Sequence, residues 1–356
     1  MVSKISIGNR DIGGGQPCFI IAEAGVNHNG DPNLAKKMIE VAAQAGADAI
    51  KFQTFHAEDV VLKTAEKAEY QKTTTGADES QYSMIKKLEL TEKNFNNLAK
   101  FAHKKKIMFL STPFDIRSVD VLERIGVPAY KIPSGEINNY PLLSYIAQKR
   151  KPVVLSTGMA TLDEVHSAIT VMSERGASQI ALLHCTTSYP ASIDSVNLRA
   201  METLRSAFKV PVGYSDHTKG TTIPIAAVAM GACILEKHFT LDRTLPGPDH
   251  QASLEPHELQ TLVQAIRDVE SAIGNGLKVP TVEEETNKCV IRRSLVAAKN
   301  ISTGEIIKEE MIAVKRPGTG ISPNNYLKIL GSKALRPISK DELISLSDIT
   351  LSKSGL

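Results

Sequence analysis

Residues able to act as acids, bases or ligands recur in this sequence directly after short apolar runs, and their spacing is that of a strand. Lys51 and Gln53, Ser215 and His217, and Glu236 and His238 each stand two apart, so in extended chain each pair shares one face. Glu23 follows another such run, as do Ser111 with Thr112, Lys131 with Ser134 and Glu136, Ser156 with Thr157, and His184 with Thr187; Asp216 lies between Ser215 and His217. Two histidines from neighbouring strands with carboxylates nearby can hold a divalent ion and leave positions for water and substrate. A lone histidine is more often a hydrogen-bonded core residue. The pairing of His217 with His238 is what sets them apart from His28, His56, His184 and His250, for which capping or surface roles are expected. Lys51 and Lys131, with the hydroxyls of Thr112, Ser134 and Ser156, supply donors suited to a phosphate or carboxylate anion. The competing reading is a set of salt bridges to Glu23 and Glu236.

The elements that must position these groups can be read from the apolar runs themselves. FIIAEAG, DAIKFQT, KIMFLST, AYKIPS, PVVLST, QIALLHC, PVGYSDH and CILEKHF follow one another from residue 19, separated by segments with apolar residues three and four apart. Such segments are amphipathic helices, and runs with so little polar alternation are strands buried on both faces. Eight βα repeats predict a TIM-type (β/α)8 barrel, an α/β fold whose catalytic groups sit at the C-terminal ends of the strands. A doubly wound sheet is the alternative. It is disfavoured because the first turn reads AGVNHNGD where a dinucleotide fold carries G-x-G-x-x-G. Charged groups facing into a barrel are costly without partners or ligand, so a polar ring at the strand ends implies a functional cavity. Residues 55–92 form a longer, hydroxyl-rich insert with the character of a lid. The barrel is expected over residues 1–275 and a Gly-, Pro- and acid-rich linker over 276–289. A small, mostly β domain follows over 290–356, with a core that is marginal on its own.

Composition excludes several classes. With 42 basic and 39 acidic residues, no tryptophan and no dense basic run, the chain has no electrostatic footprint for nucleic acid. Cys18, Cys185, Cys233 and Cys289 are far apart, which fits reduced thiols better than a disulfide framework or a zinc ribbon. The opening MVSKISIGNRDIGGGQP has no apolar core of a signal peptide, and no apolar run reaches the ~20 residues of a membrane span. A cytoplasmic protein without membrane or nucleic-acid partners is expected.

Several segments resemble, in order, the N-acetylneuraminate (sialic acid) synthase family, which includes the legionaminate and pseudaminate synthases. They are IAEAGVNHNGD, AGADAIKFQTF, STPFD, YKIPSGE, LSTGM, HCTTSYP, GYSDHT and EKHFTLDRTLPGPDH, and KRPGTGISP at residues 315–323 resembles part of the family's antifreeze-like (SAF) domain. The resemblance implies condensation of phosphoenolpyruvate with the open-chain aldehyde of an acetamido sugar, releasing phosphate with C–O cleavage. It implies that His217 and His238 bind Mn2+, with Mg2+ or Co2+ as alternatives, and that Lys51, Thr112, Lys131, Ser134 and Ser156 hold phosphoenolpyruvate. Glu23 and Glu136 become acid–base candidates, and Gln53, Tyr189, Ser215 and Asp249 surround the substrates. Arg316 would reach the sugar's acetamido group from a second subunit, in a domain-swapped homodimer.

The resemblance names two sugars. N-acetylmannosamine, giving N-acetylneuraminate, is the first. The second is 2,4-diacetamido-2,4,6-trideoxymannose, giving N,N'-diacetyllegionaminate, because Thr187 and Ser188 stand where N-acetylneuraminate synthases carry Asn and an aliphatic residue. Two other readings are set against these. A 3-deoxy-ulosonate phosphate synthase would need a second basic cluster, which the sequence lacks. An ice-binding module would need a regular threonine face, which residues 290–356 do not offer.

Overall fold

The computed structural model describes residues 4–351 and consists of two compact units that divide after Gly274. In the first, eight parallel strands are formed by the eight apolar runs: β1 (Phe19–Gly25), β2 (Ala49–Thr54), β3 (Met108–Pro113), β4 (Tyr130–Ile132), β5 (Val153–Ser156), β6 (Ile180–Cys185), β7 (Val212–Asp216) and β8 (Ile234–His238). The order β3-β2-β1-β8-β7-β6-β5-β4 joins the first strand to the eighth, and β3 and β4 lie against each other. That closure makes a barrel.

Period-two alternation explains how the barrel is layered. Phe19, Ile21, Ala49, Leu110, Ala129, Val154, Ala181, Leu183 and Ile234 point inward and form one buried cluster in the lower half. One step further along the strands, the inward positions are Glu23, Lys51, Thr112, Lys131, Ser156, Ser215 and Glu236, all buried. The intervening residues, such as Ile20, Ala22, Ile50, Leu155 and Leu235, face the helices in a second cluster. Gly213 is fixed by packing: a Cβ there would lie 2.3 Å from the Ile234 carbonyl oxygen and 2.7 Å from Leu183 Cδ2. Any side chain would push β7 off its neighbours.

The helices follow from local signals. Pro32–Gln44 starts at Asp31, whose carboxylate accepts from the Asn33 N–H, and buries Ala35, Met38, Ile39 and Ala42 on one face; this spacing makes an apolar stripe. Burying each large aliphatic side chain contributes about 2 kcal/mol. Leu162–Glu174 begins with a reciprocal cap between Thr161 and Glu164.

Two features were not expected from the sequence. An antiparallel hairpin, Lys4–Ile7 with Arg10–Gly13, buries Ile5, Ile7 and Ile12 against the lower inner layer and so plugs the bottom of the barrel. The expected linker carries a helix, Val282–Ile291, capped by Thr281 and Glu284.

The insert after β2 folds into short helices, Ala57–Val60, Glu69–Thr75 and Gln81–Lys86. Lys67 is buried and staples it together by donating to Thr75 Oγ1 (2.9 Å) and the Gly76 carbonyl (3.0 Å). Thr74 Oγ1 donates to the Pro248 carbonyl (3.3 Å), which ties the insert to the loop after β8.

The second unit pairs Ser294–Ala297 with Ile312–Lys315 and Lys333–Ala334 with Ile349–Thr350. It has its own small cores, one around Leu295, Ile307, Ile329, Ile344 and Ile349 and another around Ala297, Ile301, Met311, Ala334 and Ile338. Among the described residues, no helix is long and apolar enough to cross a membrane.

Candidate active site

The polar upper layer of the barrel opens into a cavity of ≈ 450 Å³. At its floor, Lys51 Nζ lies 2.7 Å from Glu23 Oε2, 2.9 Å from Thr112 Oγ1 and 3.8 Å from Glu236 Oε2. Lys131 Nζ donates to Ser156 Oγ (2.8 Å) and lies 3.4 Å from Glu236 Oε1, which also accepts from Ser215 Oγ (3.0 Å). Two ammonium groups and two carboxylates thus share a nearly dry space.

Their environments separate the two acids. Burial pushes the Glu23 carboxyl up, and the Lys51 ammonium only partly opposes this. Burial also acts upward on Glu236, but Lys131 and Lys51 together outweigh it and hold that carboxyl below the usual range. Two nearby like charges favour one ionised and one protonated carboxyl. Lys131 is itself pulled down by burial. With Glu23 protonated, the cluster carries a net positive charge and suits an anion.

The histidines stand to one side of this floor. Their ring centroids are 5.6 Å apart, and the Tyr189 ring lies 4.2 Å from His217 and 6.0 Å from His238. His217 Nδ1 is 2.7 Å from the Thr186 carbonyl oxygen. A carbonyl only accepts, so Nδ1 carries the proton and Nε2 keeps its lone pair. Burial lowers the pKa of both rings, which keeps them neutral. His238 Nδ1 and Glu236 Oε2 are buried without a hydrogen-bond partner. A Cβ placed on Gly25 would lie 3.4 Å from both Glu23 Oε1 and His238 Cε1 and 3.5 Å from Gln53 Nε2. Glu23, Gln53 and His238 therefore converge beside Gly25, whose φ of +53° favours glycine. Neutral imidazoles with a free nitrogen and an unpartnered carboxylate oxygen are a donor set that fits a divalent cation.

Among the described residues, the one group of three whose ligand atoms lie within 4.8 Å of one another is a different one, His56, Asp59 and Asp115. This is a possible metal-binding set, but it does not line the cavity, and hydrogen bonds already occupy it. Asp115 accepts from the N–H groups of His56 (2.9 Å) and Ser118 (2.7 Å), capping the helix Ile116–Ile125, and Asp59 is paired with Arg117.

The remaining expected residues are distributed as follows. Ser134 Oγ lies 3.0 Å from Cys185 Sγ and accepts from the Gly158 N–H (2.9 Å). Glu136 sits half-buried at the rim, where Asn139 Nδ2 donates to it (2.6 Å). Asp249 lines the cavity with its carboxyl pushed up to about 6 by burial. Thr187 lines it too, whereas Ser188 Oγ donates to the Pro190 carbonyl (3.3 Å). Arg316 belongs to the second unit, where its Nε donates to the Ile291 carbonyl (2.9 Å).

Four residues expected at the mouth do not line it, and one of them is Thr157, whose Oγ1 donates to the Leu183 carbonyl (3.0 Å). His184 faces outward, with Nε2 2.7 Å from the Val196 carbonyl, and Cys185 takes the inward place on β6. Ser111 bonds Thr54 on the outer face (2.7 Å). Asp216 is paired with Lys237 at 2.5 Å, with both side chains at 1% exposure or less. The sequence reading missed Cys185 and, in the insert, Tyr70, which stacks on Tyr189 at 5.2 Å. Strict alternation from Leu183 would have found the cysteine.

Comparison with known proteins places this geometry. The NeuB family profile matches residues 38–278, and the SAF domain profile matches residues 292–350. The chain belongs to the NeuB family. Within it, the N,N'-diacetyllegionaminic acid synthase of Campylobacter jejuni is 53% identical over 328 residues, covering 92% of this chain and 98% of that protein. The enzyme of the same name from Legionella pneumophila is 50% identical over 335 residues, covering 91% and 94%. The N-acetylneuraminic acid synthetase of Leptospira borgpetersenii, solved with citrate, is 40% identical with a TM-score of 0.71, over 81% of this chain and 95% of that one. This NeuB-family chain is thus a sialic-acid-type synthase with a barrel and a SAF domain.

Proposed function

We propose that this enzyme condenses phosphoenolpyruvate with 2,4-diacetamido-2,4,6-trideoxymannose and water to give N,N'-diacetyllegionaminate and phosphate. The observation that carries the choice of sugar is the identity of 53% and 50% to two legionaminic acid synthases over almost their whole length. N-acetylmannosamine, the first of the two sugars expected from the sequence, gives way to the second on this ground. Thr187 on the cavity wall supports it.

In this reading Lys51, Lys131, Thr112, Ser134 and Ser156 bind the phosphate and carboxylate of phosphoenolpyruvate. A new C–C bond forms between its C3 and the sugar aldehyde carbon, water adds to C2, and the C2–O bond breaks to release phosphate. His217 and His238 hold a divalent ion, Mn2+ with Mg2+ or Co2+ as alternatives, which supplies Lewis acidity at the aldehyde when bound. Glu23, whose carboxyl is raised by burial to about 7, is the candidate that gives a proton to the developing alkoxide, and Glu136 is the second acid–base candidate. Gln53, Tyr189, Ser215 and Asp249 orient the substrates. Arg316 of a second copy completes the sugar site in a domain-swapped homodimer.

The test is phosphate release by metal-loaded protein given phosphoenolpyruvate and each acetamido sugar. Release with the diacetamido sugar at the highest kcat/KM is expected. No release with either sugar overturns the reaction, and preference for N-acetylmannosamine overturns the sugar.

A further inference from the structure

The cavity has one wall unlike the others. The barrel side offers ammonium, carboxylate and hydroxyl groups, whereas the side formed by the insert and two neighbouring loops presents Val26, Val61, Met84, Ile85, Leu88 and Phe114. Val26 and Leu88 are buried with Phe55 in a cluster separate from the barrel cores, and Ile85 and Phe114 pack against it. The wall is therefore a packed apolar patch. The polar groups that the insert brings to the same cavity are bonded to one another. Gln71 Oε1 accepts from the Ala68 N–H (3.0 Å) and from Gln81 Nε2 (3.4 Å), while Gln71 Nε2 donates to Tyr70 Oη (3.3 Å). A ligand hydroxyl pressed against these apolar side chains would lose its water and find no partner among them. A methyl group would lose nothing.

Position decides which part of a sugar meets the wall. The aldehyde carbon has to reach the polar floor, where Lys51, Lys131 and the two histidines stand. The opposite end of the hexose, C4 to C6, is then left facing the insert.

We propose that the apolar wall of the insert is the specificity-determining subsite for that end of the sugar, taking a C6 deoxy methyl and a C4 acetamido methyl in preference to hydroxyls. The proposal rests on the condensation reading above and deepens it by naming the groups recognised. An apolar pocket discriminates by roughly 10- to 200-fold per methyl-sized group, so two such groups give ample selectivity without any charged contact.

Steady-state kcat/KM would be measured for 2,4-diacetamido-2,4,6-trideoxymannose and for N-acetylmannosamine, with the wild-type holoenzyme, Val61→Thr and Ile85→Gln. Val61→Thr keeps the side-chain volume at a half-buried position, so it reports even where the larger change disturbs the insert. The expected result is a fall of about tenfold or more in the ratio of the two kcat/KM values, carried by KM for the diacetamido sugar. A ratio that stays within about twofold in both variants, or an equal loss on both sugars, overturns the wall proposal and leaves the reaction standing. Phosphate release by the wild type with neither sugar overturns the reaction and the wall together.

Discussion

Lys237→Met is expected to destabilise the barrel by about 3 kcal/mol, the lower end of what losing one partner of a buried ion pair costs. The structure sets that end of the range. Without Lys237, the Asp216 carboxylate still accepts from Tyr214 Oη (3.0 Å), the Thr218 N–H (3.0 Å) and Thr218 Oγ1 (2.9 Å). In the opposite variant, Asp216→Leu, the ammonium keeps only the Thr218 carbonyl, and the loss should be about 5 kcal/mol near neutral pH. Burial already pulls Lys237 down, so in Asp216→Leu the folded lysine sheds its proton while the unfolded one keeps it. The unfolded state then binds more protons, stability rises with pH, and the deficit shrinks towards pH 10. The double variant Asp216→Leu/Lys237→Met, which buries no charge, should be more stable than Asp216→Leu alone. Equilibrium urea unfolding followed by circular dichroism measures all three, since the chain has no tryptophan to report by fluorescence. A loss below about 1 kcal/mol for Lys237→Met, or a larger loss there than for Asp216→Leu, would refute the reasoning.

Three more outcomes follow from the site. Asp249 has no side-chain partner among the described residues and its carboxyl is raised from 3.8 to about 6; the native state therefore binds more protons across that window, and stability falls as pH rises through it. Asp249→Asn should raise unfolding free energy by roughly 2 to 3 kcal/mol at pH 8 and hardly at all at pH 4, and equal gains at both would contradict this. His238→Ala and His217→Ala should each abolish metal-dependent phosphate release, with metal binding lost by isothermal titration; wild-type turnover in either would remove them from the site. Lys131→Met takes away one of the two lysines that line the cavity floor and, on the proposed reading, should lower kcat/KM for phosphoenolpyruvate by about 100-fold or more; a fall below tenfold in that assay would count against anion binding at this position.

Much of this architecture is legible in the sequence because a strand buried on both faces must be written almost wholly in apolar residues. All eight strands lie where FIIAEAG and its counterparts stand, and alternation from Phe19 or Ile234 leads directly to Glu23 and Glu236. The errors have the same source. At Ser111, His184 and Asp216 the chemistry of the residue outweighed its phase, yet phase decides which face a side chain takes. The hairpin from Lys4 to Gly13 is too short to declare itself, since a two-stranded ribbon is stable only against something else, here the barrel floor. The helix Val282–Ile291 buries none of its residues, so no apolar stripe revealed it, although Thr281 with Glu284 was a readable start signal. The insert was read as a lid from its polarity. Its apolar inner wall is not legible there because Val26, Val61, the stretch from Met84 to Leu88, and Phe114 lie in separate segments that meet only in three dimensions.

The hairpin beneath the barrel has a kinetic consequence. With Ile5, Ile7 and Ile12 filling the lower opening, reactants enter and products leave through the mouth alone. On the proposed reading the reactant bound by Lys51 and Lys131 lies deepest, so a sugar already seated above it would bar its way. Addition should then be compulsory in order, phosphoenolpyruvate before sugar. Initial-rate patterns should show a dead-end sugar analogue inhibiting uncompetitively against phosphoenolpyruvate, and a noncompetitive pattern would mean that the well fills in either order.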